Sequence, residues 1–131
     1  MSVEKNKNAV ITKAAREKLV RARAGAAALP KISGMAFGDG SVLEDGSVLA
    51  PAEGQTELRH ELYRKDVDGY SFVGETACRY ECTLSGTELA GEDINEIGLF
   101  DEDGDIVCIK SFKNKGKDEG LEMTFQIEDE F

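Results

Sequence analysis

The sequence has no tryptophan, one histidine, two prolines and three cysteines, and aromatic residues make up only 7% of it. Each scarcity removes a class of function. So few rings weigh against a cleft that stacks sugars on aromatic faces. The one histidine, His60, could pair with a cysteine nucleophile, yet no motif surrounds it. An odd number of cysteines without C-x-x-C spacing suits reduced, buried thiols better than a disulfide framework or a zinc site. No apolar run approaches the ~20 residues that cross a bilayer. The charged start MSVEKNKNAVITK has no apolar stretch ahead of a small-residue cleavage site, so the chain reads as made in the cytosol, with no membrane partner.

Acid is what the chain has in excess. Twenty-six Asp and Glu against 16 Lys and Arg give a net charge of −10 over 131 residues. Nucleic acid, whose phosphates recruit Lys and Arg, is therefore a poor partner. The length suits one domain, and 40% hydrophobic residues suffice for a core. The charge is unevenly placed. Residues 1–31 hold eight basic and two acidic residues, a charge of +6, and residues 32–131 hold eight basic and 24 acidic ones, a charge of −16.

Residues 1–11 are expected to form a flexible arm, followed by one domain over 12–131. In the basic segment Ile11, Ala15, Leu19 and Ala22 recur on one helical stripe, which predicts a helix over 12–24 with Thr12 as N-cap and Gly25 just past its end. Arg21 and Arg23 suit the negative end of the helix dipole. The stripe is thin, so this helix needs a partner surface.

After Pro30 the pattern alternates and predicts a β body over 31–131. Strands are expected over 31–37, 76–84 and 121–127, with Leu58–Tyr63 either strand or short helix. Asp68-Gly69 reads as a hairpin turn joining two paired strands, and Thr87–Asn95 and Lys113–Gly120 read as loops. The apolar runs Glu96–Phe100 and Asp105–Ile109 flank Asp101-Glu102-Asp103-Gly104, the strongest hairpin signal, with Ile97, Leu99, Ile106 and Cys108 on one face and Phe100, Val107 and Ile109 on the other. The fold class is thus α+β, mainly antiparallel β as a sandwich or partly rolled sheet, with one N-terminal helix.

Candidate chemistry is thin. Asp101, Asp103 and Asp105 alternate like calcium ligands, but an EF-hand spacing places Ile106 where its glycine belongs and Phe112 where its glutamate belongs, so an acidic turn is the better reading. Cys78, Cys82 and Cys108 fall on inward strand positions and read as packing thiols. Neither catalytic residues, cofactor nor metal is expected, and the chain is read as no enzyme. What remains is assembly, with Arg16, Leu19, Arg21, Arg23, Phe100 and Phe131 as the expected interface.

Several segments together carry a resemblance. Ile11-Thr12-Lys13-Ala14 opening a helix, Met35-Ala36-Phe37-Gly38-Asp39-Gly40, Leu62-Tyr63-Arg64, and Ile94-Asn95-Glu96-Ile97-Gly98-Leu99-Phe100-Asp101 with Asp103-Gly104 and Ile106 follow in that order. Over roughly residues 9–112 they resemble the N-terminal module of the phage tail-collar fibre proteins. The resemblance implies a non-enzymatic structural part of a phage or prophage tail, joining a fibre to the baseplate by self-association and docking on other tail or baseplate proteins. It also implies a homo-oligomer, with a trimer favoured by analogy, present in the host cytoplasm during assembly and in the virion tail or a tail-like particle afterwards. The alternative is a β-sandwich module that binds a host-surface glycan or protein.

Overall fold

The computed structural model describes residues 8–131. In chain order the elements are β1 (Ala9–Ile11), α1 (Lys13–Arg23), β2 (Ile32–Gly38), β3 (Glu61–Asp66), β4 (Gly69–Gly74), β5 (Ala77–Leu84), β6 (Asp93–Asp101), β7 (Ile106–Gly116) and β8 (Met123–Glu130). Antiparallel pairing gathers them into a five-stranded sheet, β1-β7-β6-β2-β3, and a three-stranded sheet, β4-β5-β8. The expected class, mainly antiparallel β with one N-terminal helix, is the observed one.

The helix begins where its cap dictates. Thr12 is fully buried; its Oγ1 accepts the Ala15 N–H at 3.2 Å and donates to the Ile106 carbonyl at 2.9 Å. The cap thus fastens α1 to the start of β7. At the other end Gly25 takes φ of +77°, and the Gly25 and Ala26 N–H groups return to the Ala22 and Arg21 carbonyls. This left-handed closure is the one Gly25 makes cheap. The expected arm ends sooner than the sequence indicates. Ala9–Ile11 pair with Cys108–Lys110 as an edge strand, because the β-branched Val10 and Ile11 favour extended chain on a half-covered edge; residues 1–7 of that arm lie outside the described residues.

The main core fills the space between the sheets. Met35, Phe37, Ile97 and Leu99 of the large sheet meet Cys82, Leu84, Phe125 and Ile127 of the small one, with Phe37 and Phe125 in an edge contact at 5.3 Å. A second cluster of Ala36, Leu58, Ile106 and Ile109 covers the other face of the large sheet, and Val10 and Phe100 pack against it. The central strands are therefore apolar on both sides, as a doubly covered sheet requires.

Three sequence expectations are corrected. Asp68-Gly69 closes no hairpin, since β3 and β4 belong to different sheets: the Val67 N–H reaches Ser33 in β2, whereas the Asp68 N–H reaches Glu81 in β5. The corner hands successive amides to opposite layers. The segments 93–95 and 113–116 are strand, with Asp93 opposite Gly116 and Ile94 opposite Lys115; polar residues there sit on a twisted end whose buried side needs only Ile94. Third, the faces of Ile106 and Val107 are exchanged. Leu99 pairs with Cys108 but Phe100 with Ile106, so a bulge turns Val107 and Cys108 together into the main core and sends Ile106 to the second cluster.

Candidate functional site

Two features organise this molecule's chemistry: a buried carboxylate frame and an uncovered apolar surface. Glu96 lies in the middle of β6, fully buried. Its Oε2 accepts the N–H groups of Gly40 at 2.8 Å and His60 at 2.9 Å. Its Oε1 accepts the Arg59 N–H at 2.9 Å and the Ser41 hydroxyl at 3.0 Å. A buried carboxylate is tolerable only when its lone pairs are answered in this way. Asn95 completes the frame. It accepts the Ser41 N–H at 2.9 Å and donates to the Asp39 carbonyl at 3.0 Å and to Asn114 Oδ1 at 2.9 Å.

This frame explains the glycines around it. A Cβ on Gly38 would stand 2.5 Å from the His60 carbonyl and 2.6 Å from Glu96 Oε2, and one on Gly40 would stand 2.7 Å from the His60 nitrogen. Ala-Phe-Gly-Asp-Gly and Asn-Glu-Ile-Gly are thus two halves of one contact. Beside it, exposed His60 pairs through Nδ1 with Asp39, and that hydrogen bond raises the imidazole pKa.

The acidic turn after β6 is filled by a cation of the chain's own. One oxygen each from Asp101, Asp103 and Asp105 falls within 4.8 Å of the others, the cluster a cation would want. Lys18 Nζ of α1 occupies it, 2.5 Å from Asp101, 3.1 Å from Asp103 and 2.8 Å from Asp105. Burial alone lowers the lysine pKa; the hydrogen bonds that Lys18 donates to Asp101, Asp105 and Asp103 outweigh it and hold the ammonium charged. Here the sequence displays three acids without displaying their partner 83 residues away. The cysteines behave as packing groups: burial pushes Cys82 and Cys108 up to about 12, far from a thiolate at neutral pH.

Leu19 and Phe131 come together. With Leu29, Ile32, Tyr80 and Asp129 they line a groove of about 350 Å³ between α1 and the end of the small sheet. Leu29 and Phe131 are 51% and 60% exposed, and burial raises the Asp129 pKa. The remaining expected interface residues lie elsewhere. Arg16 pairs with Glu53 at 3.3 Å and lines a separate groove between β1 and β8. Arg21 and Arg23 stand exposed in the last turn of α1. Phe100 packs on the second cluster with the Arg64 guanidinium 4.6 Å from its ring centre.

Sequence reasoning missed Glu96, Asn95 and Lys18. For the first two a signal existed: two polar residues inside an apolar run that is buried on both faces demand partners.

The molecule thus combines a glycine-tight sheet frame around a buried carboxylate with exposed apolar surface. The chain belongs to the phage tail-collar fibre protein family, whose N-terminal model matches residues 3–126. It is a phage tail structural protein, and two of its motif segments supply Gly38, Gly40, Asn95 and Glu96 to the frame. No curated protein and no solved structure matches the chain. Among the described residues no helix is long and apolar enough to cross a membrane.

Proposed function

We propose that this chain joins a tail fibre to the baseplate, as a non-enzymatic part that self-associates and docks on neighbouring tail proteins with residues 12–131 as one attachment domain. The observation that carries the reading is the groove in which Leu19 and Phe131 meet beside the basic end of α1. Apolar surface left open at a helix edge, next to Arg21 and Arg23, suits a partner that is apolar at its centre and acidic at its rim. The chain's own acidic body, at −16 over residues 32–131, offers such a rim, which supports self-association by head-to-tail contact. A head-to-tail contact that closes on itself makes a ring, in keeping with a trimer.

The expected behaviour is salt-dependent. Exposed charges are screened beyond about 8–10 Å at ordinary ionic strength. The mass from light scattering should therefore fall as salt rises, and Arg21→Glu with Arg23→Glu should lower it at low salt. A mass unchanged by both salt and substitution would refute the electrostatic contact. Electron microscopy of tail particles made without this chain tests the role itself: intact fibre attachment would overturn it.

A further inference from the structure

The two sheets have four edge strands, and three are guarded against pairing. β1 is three residues long. β3 presents Glu61, Arg64, Lys65 and Asp66, and β8 ends in Glu128, Asp129 and Glu130. Charges and shortness are the usual means of keeping an edge from recruiting another strand. β4, Gly69–Gly74, has neither; a bulge at Val73, between Phe72 and Gly74, blunts only its end and leaves Gly69–Phe72 a regular, uncharged edge. Among the described strands of six or more residues only β2 and β4 lack a charged residue, and β2 is central in its sheet. Moreover β4 displays Tyr70, Phe72 and Val73 at 64%, 78% and 41% exposure.

The aromatic residues are ordered on one face. The Tyr70 and Phe72 rings meet edge-on at 5.7 Å, and Tyr70 lies 6.0 Å from Tyr80, its cross-strand partner on β5. That face is the inner face of the small sheet, continued past the end of the main core, and through Tyr80 it is continuous with the groove holding Phe131.

We infer that β4 pairs with β4 of a second copy, antiparallel about a two-fold axis through Ser71, joining two three-stranded sheets into one of six. The choice of occupant follows from charge. A strand of no charge wants a neighbour of no charge, and in a molecule of −10 the flanking acids must avoid each other. Centring on Ser71 sets Tyr70 opposite the partner's Phe72, within the regular stretch that precedes the bulge. The bulge at Val73 ends the regular pairing there, so the paired stretch holds no charge and Asp68 and Glu75 lie outside it. Shifting the centre to between Ser71 and Phe72 would set Tyr70 against the partner's Val73, where the bulge makes pairing irregular. Aromatic rings offer about 150–250 Å² each. Tyr70, Phe72 and Val73 have only 64%, 78% and 41% of their surface left to cover, so two copies with their strand backbones bury at most about 1,000 Å², the size of a weak, reversible contact. This contact is two-fold and apolar, distinct from the salt-sensitive contact proposed for α1.

The experiment is sedimentation of the full chain from about 1 to 100 μM in about 0.5 M salt, where contacts between exposed charges are screened. The wild type should move from one to two copies across that range, and Phe72→Lys should raise the midpoint at least tenfold. Ser71→Cys, made in a Cys78→Ser background, should oxidise to a dimer whose disulfide maps to position 71 in both copies, while Glu57→Cys in the same background should not. The register keeps the inference testable should Phe72→Lys fail to fold. A monomer at every concentration, a dimer indifferent to Phe72→Lys, or a cross-link no faster at 71 than at 57 would each overturn it. So would β4 amides protected from exchange only when another tail protein is added.

Discussion

Glu96 shows how one side chain substitutes for a stretch of regular structure. Its four donors come from two segments, 40–41 and 59–60, neither in a position to find its partners in a strand. Glu96→Ala leaves three backbone N–H groups without acceptors and should cost about 3–5 kcal/mol by denaturant unfolding. Glu96→Gln, which keeps one carbonyl oxygen, should cost less. Lys18 is the converse, a cation supplied to acids. Removing it as Lys18→Ala should cost about 1–3 kcal/mol, less than breaking a fully buried pair, because the side chain retains 20% exposure. The vacated oxygens of Asp101, Asp103 and Asp105 then repel one another, so millimolar calcium should raise the melting temperature of this variant and not of the wild type. Lys117 presents a third case. It is 1% exposed, and its Nζ has no hydrogen-bond partner among the described residues. Lys117→Met, of similar length and without the polar head, should stabilise the protein by about 1–3 kcal/mol in the same unfolding measurement.

Between elements, the clearest tie is Glu88, in the connection from β5 to β6. It accepts from Lys65 at 2.8 Å, Tyr63 at 2.6 Å and the Ser85 N–H at 2.9 Å, joining β3 to that connection. The Lys65 ammonium, then the Ser85 amide and the Tyr63 hydroxyl, hold its carboxyl down at about 2, against an ordinary 4.5. A carboxyl pKa depressed on folding stabilises the native state above the unfolded value and loses that contribution as pH falls through the folded one. The stability gap between wild type and Glu88→Gln should therefore be full at pH 6 and narrow between pH 4.5 and about 2, as read from urea midpoints. Element existence was legible in the sequence where period and turn chemistry agreed. The helix between Thr12 and Gly25 follows from its apolar stripe together with its caps, and the strand ending at Leu84 from alternation. Pairing was not. The Asp68-Gly69 corner looks like a hairpin because the sequence shows a turn but not which sheet receives each strand. The bulge at Val107 inserts one residue and so exchanges the faces that counting gives Ile106 and Val107. Likewise the apolar pattern of β6 was visible, whereas the loops answering Asn95 and Glu96 come from 36 to 56 residues away.

Taken whole, the molecule concentrates its irregular chain in one excursion, from Asp39 to His60, between β2 and β3. Both ends of that excursion close on Glu96, at Gly40 and Ser41 on one side and Arg59 and His60 on the other. Between them, buried Pro51 and Leu58 anchor the near part, and Ser111 donates to the Leu49 carbonyl at 2.8 Å. The tip does neither. Leu43–Ser47 is exposed, turns through Gly46 at φ of +86° and is pinched by the isolated bridge of Val42 with Val48. Chain length at such a tip is nearly invisible to the sheets, because doubling a flexible loop adds only about 0.6 kcal/mol of closure entropy. An epitope or a small folded domain inserted after Asp45 should leave the melting temperature within a few degrees of the wild type, whereas the same insertion after Asp39 should unfold the protein. The tip is thus a place where length and sequence can drift freely, and where a label can be carried on an assembled tail without the frame beneath registering it.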